Sequence, residues 1–335
     1  MADAAGDFKV DWYRVPIEKQ TLRSLTERSD AKGLLQVVPY LALLVLTGAA
    51  AMVAWKRLPV AAFIAILFVH GTFFGFMINA FHELSHGTVF RTRWLNAFFL
   101  RLVSFVSWNH YVLFRASHNR HHWHTLHPPH DLEVVLRLHF SPGTFLAAAV
   151  VDPQVLFLTI TQNIRFAFGR LKPGWETAIF PASDPKSRRQ LFRFSRVMLV
   201  GHAAIVAASI AVGLWPLALV VTGARFYGTW LFYLCNNTQH VGLQDNVPDF
   251  RLCCRTIELN PFVRFLYFQM NYHTEHHMYA AVPCYNLRRL HETIRHEMPP
   301  TQRGLVATWK EILSILRRQK EEPGYQHVNV LPAKT

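Results

Sequence analysis

Two runs without a charged residue set the first limit on what this chain can become. Leu34 to Trp55 and Pro59 to Ala80 are each 22 residues long. As helices they would measure about 33 Å, enough to cross a bilayer core of about 30 Å. Only Lys56-Arg57-Leu58 separates them, which suits a membrane hairpin better than two buried helices of a soluble core. A later region, Val197 to Ala224, is uncharged over 28 residues, too long for one ordinary span and too short for two. Gly213-Leu214-Trp215-Pro216 reads as a turn in its middle. The fourth helix then runs from Pro216 to about Cys235 and carries Arg225. A charge at that depth is expensive unless it is paired or reaches a polar cavity. The fold expected is an all-α integral membrane protein with four transmembrane helices, about 34–55, 59–86, 197–213 and 216–235. Interfacial helices and a cytosolic helical cap over 87–196 and 236–335 complete one domain, 33–335, preceded by a polar N-terminal segment, 1–32.

Charge orients the expected hairpins. The chain of 335 residues carries 35 Lys and Arg against 21 Asp and Glu, a net charge of +14. Residues 88–196 hold 14 basic against 5 acidic residues, and Arg188, Arg189, Arg193 and Arg196 crowd the start of the third span. Basic loops stay on the cytoplasmic side. The excess is read as topology and attraction to anionic lipid, and no nucleic-acid partner is expected. The start, MADAAGDFKV, lacks the basic and apolar regions of a cleavable signal peptide. Cys235, Cys253, Cys254 and Cys284 show no C-x-x-C pairing and read as reduced thiols.

Against this apolar background stand 19 histidines. His82 and His86, in His82-Glu83-Leu84-Ser85-His86, end the second span. "SHNRHHWHT" supplies His118, His121 and His122, and "NYHTEHHMY" supplies His273, His276 and His277. Both triplets have the spacing H-x-x-H-H, which puts i, i+3 and i+4 on one helical face. His240, in "CNNTQHVG", lies just past the fourth span. With four spans all nine reach the same membrane face; with three, the last third of the chain lies opposite. H-E-x-x-H alone would suit a zinc hydrolase with Glu83 as general base. A catalytic zinc needs three protein ligands and an open position, and nine imidazoles exceed that. They suit two metals with four or five ligands each, and imidazole alone does not choose among Zn, Fe, Cu and Ni. Glu83, Glu275, Asp131, Asn119 and Asn271 are placed to orient imidazoles, a role that ligating histidines need filled. His70 lies within a span and reads as a polar packing contact.

These three boxes resemble those of the integral-membrane fatty acid desaturase superfamily, which includes related hydroxylases and carotenoid ketolases. His82/His86, His118/His121/His122 and His273/His276/His277 match H-x(3,4)-H, H-x-x-H-H and H-x-x-H-H, and "HTEHHMYAAVPCYNLRRLH" is similar to the third box with its downstream segment. The resemblance covers about 34–295. It implies two iron ions, with O2 as co-substrate, at the cytosolic face of a four-helix stalk in a bacterial inner membrane or the endoplasmic reticulum. It makes His240 the extra ligand, and Asn236 matches an asparagine that holds a metal-bound water in some acyl desaturases. It implies desaturation of a fatty-acyl lipid, with hydroxylation or ketolation of a lipid, carotenoid or other small molecule as the alternative. Ala280 stands where relatives commonly have Pro. The third box begins with His rather than the Gln of front-end desaturases, and no cytochrome b5-like domain is fused. Electrons are therefore expected from a separate donor, a ferredoxin, rubredoxin or cytochrome b5-like protein, docking near Arg188, Arg189, Arg288 and Arg289.

Overall fold

The computed structural model describes residues 8–134, 136 and 142–333, and His139 lies outside them. Helices make up nearly all of the regular structure. Among the described residues the sheet is one parallel pair of two-residue strands, Ile257–Glu258 with Gln302–Arg303.

The first hairpin forms as its sequence dictates. Ser29 caps the helix Asp30–Arg57 by accepting from the Lys32 amide, which satisfies one of the donors a helix start leaves orphaned. The return runs from Val60 through Phe74, breaks at Gly75-Phe76, and resumes as Met77–His86. Val60–His86 as a whole is long and apolar enough to cross a membrane, as are Asp30–Arg57 and Pro185–Ala211. Their outward faces carry Leu35, Val45, Leu46, Ile64 and Val200 exposed. Contiguous apolar surface of this kind is what lipid covers. The protein is thus a helical membrane protein.

The second hairpin departs from the expected boundaries. Its first helix starts at Pro185, capped by Asp184 on the Ser187 amide, and ends at Ala211; 197–213 is only its apolar half. The return over 216–235 is divided into Pro216–Val221, a 3₁₀ turn at Ala224–Phe226, and Trp230–Asn236. Close backbone approach causes the division. Gly228 has φ +67°, and a Cβ there would lie 2.8 Å from the Phe68 carbonyl oxygen. A Cβ on Gly71 would lie 2.5 Å from the Tyr227 carbonyl oxygen. Two glycines meeting backbone to backbone let the strand-like stretch around 227–228 nest against Phe68–Thr72, at the cost of helix continuity. The return still travels the full length of the bundle. The Trp215 ring sits 6.1 Å from that of Trp55 at the far turn. The Val220 carbonyl then accepts from His70 Nε2 at 3.0 Å, Trp230 Nε1 donates to Thr72 Oγ1, and the chain emerges at His240. The histidines thus gather at one place, although among the described residues only three helices are long and apolar enough by themselves to cross a membrane, and the broken 216–236 return is not one of them.

Between the hairpins, Arg93–Val106 and Tyr111–His124 meet at 107°, the second carrying the first H-x-x-H-H. The described part of the N-terminal segment packs onto this same end: Trp12 stacks on Phe250 at 4.0 Å and donates Nε1 to the Trp123 carbonyl.

Candidate metal centre

Four pieces of chain deliver the nine histidines. The end of the second pass brings His82 and His86, where Gly87 in the left-handed region stops the helix. Tyr111–His124 brings His118, His121 and His122, the turn after the fourth pass brings His240, and the short helix His273–Met278 brings the rest. They separate into two groups. In each, one nitrogen per residue lies within 4.8 Å of all the others: His82, His86, His118, His122 and His276 in one, and His121, His240, His273 and His277 in the other. Each H-x-x-H-H triplet is thereby split, as residues of one helical face diverge toward two centres.

The hydrogen bonds fix which nitrogen is free. His240 Nδ1 donates to the Cys253 carbonyl at 2.8 Å, and His273 Nδ1 points at Met270 Sδ at 3.3 Å. His240 Nε2 then carries a lone pair, and it faces His273 Nε2 at 2.9 Å. Thr125 donates its hydroxyl to the His121 carbonyl and so accepts from His277 Nδ1, leaving His277 Nε2 buried without a partner. His121 Nδ1 lies 2.8 Å from Asp131, and His118 Nδ1 2.6 Å from Glu133. His118 Nε2 faces those of His86 at 3.2 Å and His122 at 3.0 Å, and His122 faces His276 at 3.2 Å. Lone pairs aimed at one another repel; a cation among them turns each repulsion into a bond, with the far nitrogen held by an acceptor in the way ligating imidazoles require. Burial, followed by the neighbouring imidazole charges, holds His273, His276 and His277 well below their usual pKa, and burial and His121 push His240 down to about 3. Neutral imidazoles are what metals bind. The residues fit two metal ions.

The expected orienting residues divide. Glu83 lies 3.0 Å from His82 Nδ1 and 3.7 Å from His276 Nδ1. Asp131 holds His121 and also accepts from the Leu126 and Glu133 amides, which orders the loop. Glu275 reaches no clustered histidine; its carboxylate binds His291 Nδ1 and the Thr256 hydroxyl. Asn271 donates to the Ile257 carbonyl, and Asn119 is exposed. The reason is helical rotation: neighbours at i+1 and i+2 do not share a face, so Asn119 turns away from His118 and Glu275 from His273. Glu133, Thr125, Met270 and the Cys253 carbonyl were not foreseen. No spacing announces them, although Glu133 sits two residues past Asp131 in one loop.

A cavity of about 650 Å³ adjoins both groups. His82, His118, His121, His240 and His273 line one wall, with Asn236 and Gln239 beside them, and exposed Lys172 and Pro173 mark its mouth.

A helical membrane bundle with a buried histidine cluster able to hold metal defines the class. The fatty acid desaturase family model matches residues 57–309, and the chain belongs to that family. No curated protein matches the sequence. Membership makes the protein an oxidoreductase of the membrane desaturase and hydroxylase type, typically iron-dependent and working on lipid in a membrane setting.

Proposed function

We propose that His82, His86, His118, His122 and His276 hold one iron ion and that His121, His240, His273 and His277 hold a second. The protein would use O2 and two electrons from a separate donor to oxidise a C–H bond of a fatty-acyl lipid, desaturation being the first outcome and hydroxylation the alternative. The observation that carries this reading is the convergence of buried Nε2 atoms, those of His240 and His273 2.9 Å apart, repeated around His118. When bound, such a metal pair supplies oxygen activation: with two protons and two electrons, O2 becomes two waters as an alkene forms, or one water as an alcohol forms. The chain's own part is to orient the imidazoles through Asp131, Glu133, Thr125 and the Cys253 carbonyl, while burial keeps His240, His273, His276 and His277 neutral, and to present substrate in the adjoining cavity. Asn236 lines that cavity next to His240 and is placed to hold a water there. Glu83 Oε1 lies 3.0 Å from His82 Nδ1 and 3.7 Å from His276 Nδ1, which favours an orienting role over that of a hydrolytic base.

The histidine end is assigned to the cytoplasmic face, with residues 8–32 over it, because the basic excess of 88–196 belongs to that end. An acidic donor would meet Arg188, Arg189, Arg288 and Arg289 there, with salt-dependent encounter. The test is metal analysis of the purified protein together with mass spectrometry of lipid extracts from cells with and without it. Two irons per chain and a product short of two hydrogens support desaturation, and a product with one added oxygen supports hydroxylation. One zinc per chain and a hydrolysed product would overturn the reading.

A further inference from the structure

The same cavity has a second end. Arg225, in the broken fourth pass, lines it together with Asn109. Arg225 Nη1 donates to Asn109 Oδ1 at 2.8 Å, and Asn109 is itself aimed by donating Nδ2 to Ser107 Oγ at 2.8 Å. Arg225 Nε is buried without a partner, and no carboxylate forms an ion pair with this guanidinium among the described residues. Asp152, whose charge attracts it, is committed to capping the next helix through the Val155 amide. Asn163, 2 % exposed, lines the same space with its Oδ1 unpartnered. A cation within a membrane bundle costs several kcal/mol unless something pairs with it. Here the direct hydrogen-bond partner is a neutral amide, and Asp152 acts on the guanidinium only through its charge, without an ion pair.

We propose that this part of the cavity is an anion subsite in which Arg225, aimed by Asn109, takes the carboxylate of the substrate. The proposal rests on the oxidase reading above for its purpose, though not for its geometry. One guanidinium among neutral amides balances one negative charge, and its planar fork matches a carboxylate. The substrate class is then an amphiphile with a free carboxylate rather than an ester-linked acyl chain. Held there, the carboxylate would fix which part of the chain reaches the histidine-lined part of the cavity.

The test uses the full-length protein in lipid nanodiscs and equilibrium binding of radiolabelled laurate, with methyl laurate as the uncharged competitor. The wild type should prefer laurate by roughly tenfold or more, the worth of a charged hydrogen bond. Arg225→Gln should abolish that preference, and Arg225→Lys should keep part of it. Asn109→Asp places a carboxylate of the protein's own against Nη1, so it should lower laurate affinity while pairing the arginine rather than orphaning it. Should Arg225→Gln fail to fold, Asn109→Asp decides the matter alone. Equal binding of acid and ester by the wild type overturns the subsite, as does an unchanged preference in Asn109→Asp. Incubation with donor and O2 is scored separately: laurate that binds through Arg225 but is never oxidised refutes the oxidase reading and leaves the subsite standing.

Discussion

The two histidine groups are unequal, and the inequality lies in what stands behind each imidazole. In the four-histidine group every Nδ1 has a holder: Asp131, the Cys253 carbonyl, Met270 Sδ and Thr125. All four residues are buried. In the five-histidine group Glu83 and Glu133 hold His82 and His118, whereas His122 Nδ1 makes no hydrogen bond and His276 Nδ1 has only Glu83 at 3.7 Å. His86 and His122 are also partly open. A held imidazole loses little freedom on binding a metal, and an acceptor on its far nitrogen raises its basicity. The first centre should therefore be the tighter one. The five-histidine centre should be the more adjustable, with more ligands and fewer fixed orientations.

The largest effect should follow removal of a ligand. His277→Ala, which strikes the rigid group, and His118→Ala or His122→Ala, which strike the other, should each lose metal and all measurable turnover. Iron content and activity measured on the same preparation check this, and a His277→Ala enzyme retaining two irons would end the division into two sites.

Chelator titration sharpens the contrast next. Loss of metal should be biphasic, the five-histidine centre emptying first. The gap between phases should be about 10–100-fold in chelator concentration, the usual worth of an orienting partner. A single phase would make the two centres equivalent. Glu133→Gln should widen the gap by weakening the looser site, and Asp131→Asn should close it, each by a factor of that same order.

Glu83→Gln should be milder, keeping most of its metal because His82 retains an amide oxygen as acceptor. Full metal occupancy with complete loss of activity would instead return Glu83 to the role of proton-abstracting base. Glu275→Gln separates stability from chemistry. Its buried partners are His291 and Thr256, so it should cost about 1–3 kcal/mol of stability, with iron per folded chain unchanged in thermal-melt and metal assays. The smallest effect is Asn119→Ala, an exposed position, expected within about 0.5 kcal/mol and silent in turnover.

The apolar runs by themselves determined the first hairpin, because a helix is the structure that satisfies every backbone group locally within lipid. The histidine spacing determined which residues gather, since i, i+3 and i+4 share a face whatever the surroundings. Tertiary structure decided the rest. The split of each triplet between two centres depends on where His240 and the His273–Met278 helix dock. The Nδ1 holders come from Thr125, Glu133, Cys253 and Met270, whose roles exist only through contacts across folded chain, such as Thr125 with His277. The fourth pass broke because Gly71 and Gly228 meet backbones that the sequence does not place beside them. That break carries Arg225 to Asn109, 116 residues away in sequence, and into the cavity. A local pattern can state that a charge in a span needs a partner. Only the packed bundle shows that the partner it provides is neutral.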